Sequence, residues 1–159
     1  MADTQSSEEI ALWQKRLAAQ ANNSARRLSE SLSRSPQEDE EMLQAAHASM
    51  YLWKIVGNVG NRAHAVQLTA HVYALLKSPD SAKHYFAQAE PFFLEQDCEP
   101  WERACAFVVK ASVAVAASES EAHENSYREA ERLISALPDP EDRKILHASL
   151  RVVPKPGVA

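Results

Sequence analysis

The chain has 159 residues, 45% hydrophobic and 25% charged, with a formal net charge of −5. That is one domain's length with ample core-forming content, and the acidic balance disfavours phosphate contacts and so nucleic acid as a partner. No apolar run approaches the roughly 20 residues of a membrane helix, and three glycines (Gly57, Gly60, Gly157) can write neither GxGxxG nor GxxxxGK[ST], which argues against the common nucleotide-binding folds.

The N-terminal stretch MADTQSSEEI is acidic and polar, unlike a secretion signal; it predicts an unstructured lead over 1–6 and a cytoplasmic protein. From Ser7, the residues Ile10, Trp13, Leu17, Ala21, Ser24 and Leu28 recur at helical spacing and predict a first helix to about Leu32. Ser35, Pro36 and Glu38 form a helix start, and the acidic run 38–41 complements the dipole of that second helix rather than marking a metal site. Its stripe is Leu43, Ala46, Met50 and Trp53. It ends near Val56, before a turn over Gly57–Asn61.

Helix three, Arg62–Lys77, is apolar on most sides. Ser78 and Pro79 open helix four, with Ala82, Tyr85, Phe86 and Ala89 facing inward; Pro91 predicts a kink or an early end. After Asp97–Pro100, a fifth helix carries Trp101, Ala104, Cys105, Val108, Ser112 and Val115. Ser118–Glu121 reads as a cap for helix six (Ala122, Ser126, Ala130, Leu133, Leu137). Asp139, Pro140 and Asp142 open a short seventh helix that ends near Val153, and 154–159 read as a flexible tail. No period-2 run is bounded by turns, so the expectation is an all-α single domain over 7–153, with about seven helices in antiparallel hairpins.

In the central hairpin Ala70 and Tyr73 are followed by Ala82, Phe86 and Ala89; Ala111 and Ala114, then Tyr127 and Ala130, echo them. Alanines let helices approach and aromatics fill the groove between them. This pattern resembles the tetratricopeptide repeat, which implies a right-handed superhelix with helix seven as its cap. The offset from Phe86 to Tyr127, 41 residues, exceeds the usual spacing of roughly 34 and fits the longer connection at Glu95–Pro100. A narrower set also resembles a family of small bacterial tetratricopeptide-like proteins without an assigned activity: PQEDEEM at 36–42, AAHAS at 45–49, Tyr51, Trp53, Val56-Gly57, Asn61, VYALL at 72–76 and DPEDR at 139–143. The likeness spans about Asn22 to Val153. It departs at Leu52, where the family often has histidine, and at Ala65–Leu68, where an arginine-acid-Trp segment is common.

Six histidines raise the question of metal. His64 and His71 are about 10 Å apart along a helix, too far to share an ion, and no histidine pair is spaced i,i+4, so neither metal nor cofactor is implied. Cys98 and Cys105 read as reduced thiols, Cys105 as a small hydrophobe. No GxSxG is present, and covalent catalysis has no support.

Two candidate sites follow. His64, Gln67 and His71 share one face of helix three; if that helix lines a concave surface, they face a protein or peptide held by helices one, three and five, and otherwise they form a solvated face. The second is a polar cluster of Asn22, Asn23, His47, Asn61 and Arg62, read either as a ligand pocket with an acid/base histidine or as a structural hydrogen-bond set. Trp13 and Leu17 on helix one would serve a homodimer.

Overall fold

The computed structural model describes residues 2–158. All regular structure among them is helical: α1 (Ala2–Ser29), α2 (Pro36–Val56), α3 (Val59–Leu75), α4 (Pro79–Leu94), α5 (Pro100–Ala116), α6 (Ser120–Ala136) and α7 (Pro140–Leu150). The first helix starts at Ala2 rather than Ser7, since no glycine or proline precedes Ser35 to interrupt it.

The α1–α2 turn is tied by Arg34. Its Nε donates to Asp39 Oδ1 (2.7 Å), and its Nη1 to the carbonyls of Leu28 (3.3 Å) and Ser31 (3.0 Å). α2 then opens on a reciprocal cap in which Glu38 N donates to Ser35 Oγ (3.2 Å) and Ser35 N to Glu38 Oε2 (2.8 Å). α3 begins three residues before the expected Arg62, because Asn58 and Asn61 make the same reciprocal bonds at 2.8 and 3.1 Å. Asn61 is therefore a first-turn helix residue, not a turn residue.

α4 continues through Pro91 to Leu94. Only the bond to the Ala87 carbonyl is forfeited; the proline ring is exposed, and Phe93 beyond it is fully buried. Ser118 does not cap α6. It takes φ +59 at the end of α5, as Lys77 takes φ +58 at the end of α3. Each left-handed residue lets the next amide close the helix: Ser78 N donates to Tyr73 O and Glu119 N to Ala114 O, both at 2.9 Å.

The helices pair as hairpins α1–α2, α3–α4 and α5–α6, and each second helix packs on the first helix of the next hairpin. The first helices form a layer of their own, α1 on α3, α3 on α5 and α5 on α7. Val59 and Pro100 open α3 and α5 at the same 41-residue offset that separates Lys77 from Ser118. The core repeats with it. Phe86 packs with Ala70, Ala74, Ala82, Val109 and Val113; Tyr127 packs with Ala104, Val108, Ala111 and Ala130. α7 covers the end of this stack through Leu146 and Leu150, followed by Val153. At the other end Ile10, Trp13 and Leu17 of α1 are each half exposed.

Candidate functional site

The inner layer encloses a cavity of about 310 Å³. From α1 come Asn22, Asn23 and Arg26; from α2, Trp53; from α3, Asn61, His64, Gln67 and His71; from α5, Trp101, Cys105 and Val108; from α7, Ser149. α7 was expected only to cap the stack, yet its Ser149 closes the cavity, and Arg151 Nη2 reaches across to the Glu30 carbonyl of α1 at 3.3 Å.

The floor is polar and buried. Gln67 and His71 are 2% and 4% exposed, so these two members of the stripe are not solvated, while His64 is partly exposed. They lie one turn apart on α3, about 5–6 Å between Cβ atoms. Gln67 Nε2 donates to Cys105 Sγ at 3.4 Å, but its Oε1 has no hydrogen-bond partner among the described residues. Neither ring nitrogen of His71 has one. A buried polar group left unpaired costs about 1–3 kcal/mol, and such groups are rare in folded proteins. Among the described residues the remaining buried side-chain atom without a partner is Ser49 Oγ, which does not line the cavity.

Burial, helped by the Arg34 charge, lowers the His71 pKa from 6.5 to about 4. At neutral pH the ring is therefore uncharged, with one N–H donor and one acceptor nitrogen. Burial also pushes the Cys105 thiol pKa up, which keeps it from acting as a thiolate.

The start of α5 builds one wall. Glu102 uses Oε2 to accept from Glu99 N (3.0 Å) at the helix start, and Oε1 contacts His64 Nε2 at 2.6 Å. The His64 ring lies on Trp101, with centroids 5.3 Å apart and planes within 9°. Holding this proton at Nε2 leaves Nδ1 of a neutral His64 as an acceptor. At the cavity's outer side Asn23 and Arg26 continue into a more open groove between α1 and α7, past Arg27, Glu30, Glu141 and Lys144.

The second candidate cluster does not assemble. His47 Nε2 bonds the Tyr73 hydroxyl at 2.8 Å, and its ring sits edge-on to Tyr73 and Tyr85, which stack on each other. His47 therefore joins α2 to the hairpin α3–α4 through aromatic packing, away from the cavity lining. Arg62 is exposed and does not line the cavity. Asn22, Asn23 and Asn61 do line it, alongside the His64 stripe rather than His47. Sequence reasoning missed Trp53, Trp101, Arg26 and Ser149, which come from four helices. Their helical spacing marks Trp53 and Trp101 only as ordinary stripe residues.

No group of three or more metal-ligating side chains converges among the described residues. Compared with protein-family models, curated proteins and solved structures, the chain matches none.

Proposed function

We propose that the chain is a tetratricopeptide-like binding module whose concave cavity seats a small organic ligand on Gln67 and His71. The observation that carries this is that two side chains lining one cavity, Gln67 and His71, hold three buried polar atoms without a hydrogen-bond partner among the described residues: Gln67 Oε1 and both His71 nitrogens. Packing alone gives no reason to keep them: unpaired, they destabilise the fold, whereas a ligand's complementary groups offset that cost. The cavity's volume lies at the lower end of the roughly 300–1,000 Å³ usual for ligand pockets. That suits a compact molecule better than an extended peptide, and the approach of α7 to α1 narrows any path for a chain lying along the inner layer.

A peptide partner is the second reading, favoured by the groove between α1 and α7 that leads outward from the cavity. A peptide lying there would place one side chain on the floor. No catalytic role is part of either reading; the raised thiol pKa of Cys105 and the closed contact of His47 supply no nucleophile or free base.

The test is a titration of the full chain, followed by NMR, with a pool of ring-sized neutral, anionic and cationic compounds. The expected result is movement of the Gln67 side-chain amide and the Trp53 and Trp101 indole signals, abolished in Gln67→Val. A pool that moves none of these signals contradicts the reading.

A further inference from the structure

We infer that the ligand is a planar, uncharged ring compound bearing a carboxamide or lactam group, whose N–H donates to Gln67 Oε1 and whose carbonyl accepts from the His71 ring N–H. This rests on the cavity being a ligand seat.

The hydrogen-bonding inventory sets the polar group. Gln67 Oε1 can only accept. His71, one turn along the same face, is neutral and supplies one donor. A group that pairs with both carries an adjacent donor and acceptor, and an amide edge has that array.

The charges near the floor exclude ions. Arg34 is close enough to depress His71, and Arg26 lines the wall, so a cation is repelled. No carboxylate lines the cavity among the described residues, and Glu102, behind the His64 wall, has each oxygen committed, to His64 and to Glu99 N. An anion fares no better: it would bury its charge against the Gln67 Oε1 acceptor, and the guanidiniums of Arg26 and Arg34 are already paired with Glu30 and Asp39.

The walls set the shape. Trp53 and Trp101 face the cavity from α2 and α5, and Leu68, Val108 and Val109 supply the apolar remainder. A flat ring gains stacking against the indoles that an aliphatic chain does not.

The 41-residue repeat makes the assignment specific to one hairpin. Position for position, Gln67 corresponds to Val108 and His71 to Ser112. The polar pair stands where the neighbouring repeat places a buried valine and a serine.

The experiment compares four probes on the full chain by the same NMR signals: the near-isosteric benzamide, benzoate and benzamidinium, and the smaller, ringless propionamide. Benzamide is expected to bind at least tenfold more tightly than each of the others and to lose that advantage in Gln67→Val. Tighter binding of benzoate or benzamidinium overturns the neutral amide assignment, and equal binding of propionamide overturns the ring. The same holds if none of the four binds while another member of the wider pool does; the cavity reading then stands and this assignment falls. Should propionamide alone bind, the floor reads carboxamide side chains, and the peptide source displaces the ring compound.

Discussion

Gln67 and Val108 occupy the same position in successive hairpins and are almost equally buried, at 2% and 1% exposure. One is an amide with an unpaired oxygen; the other is an apolar residue in a packed core cluster. The backbone and neighbouring alanines repeat around them, so the difference cannot be assigned to the architecture. Both side chains line the cavity, so the difference lies in what each presents to it, and the stability of the two hairpins should reflect it.

The protonation of His71 gives a second prediction. Its folded-state pKa, about 4, lies below its ordinary value of 6.5. Between those values the unfolded chain binds a proton that the folded chain does not, so this contribution to stability is present above pH 6.5 and is lost as pH falls toward 4. Across that window it amounts to on the order of 3 kcal/mol. The variant His71→Asn should show a flatter stability–pH profile there than the wild type, measured by urea denaturation at several pH values. Arg34→Gln should move His71 titration upward, read from its ring signals by NMR. An unchanged profile in His71→Asn would show that His71 titrates normally.

Gly57 is required by a close approach rather than by its backbone angles. A Cβ there would lie 2.6 Å from the Trp53 carbonyl oxygen, 2.9 Å from Asn61 Cβ and 3.0 Å from Trp53 Cε3. All three atoms belong to cavity-lining residues, Trp53 and Asn61. Gly57→Ala should therefore cost about 1–3 kcal/mol and shift the indole signal of Trp53. Thermal unfolding with tryptophan fluorescence checks both; an unaltered melting temperature would contradict the packing described.

Lys77 and Ser118 hold left-handed conformations that glycine adopts without a Cβ penalty. Ser118→Gly and Lys77→Gly should each stabilise the fold by up to about 1 kcal/mol, and the effects should add, since the two residues end different hairpins. Urea midpoints that fall in both variants would argue against the shared helix ending.

Much of the fold was legible in the sequence because its signals are local. The Ser35–Pro36–Glu38 cap and the alanine–aromatic spacing of Ala82, Phe86 and Ala89 act within a turn or two of helix; the cap forms, and all three α4 residues are buried. The misread boundaries had competing local signals. Asn58 and Asn61 read as turn residues but cap α3, and Ser118 read as a cap but ends α5. The site was half legible. One helix face grouped His64, Gln67 and His71, whereas the partners that give them meaning (Trp53, Trp101, Arg26 and Ser149) arrive from other helices by tertiary packing. His47 was misplaced for the same reason: its nearest polar group, the Tyr73 hydroxyl, is 26 residues away in the chain.

The claim that the floor of the cavity is kept polar for a ligand is tested most directly by the urea denaturation of Gln67→Val without ligand. The substitution removes a buried unpaired oxygen and installs the residue that the adjacent repeat carries at that position. The account predicts a midpoint above that of the wild type, by a stability gain of about 1 kcal/mol, together with loss of ligand response. A midpoint below the wild type would mean that Gln67 holds the helices together, and would contradict it.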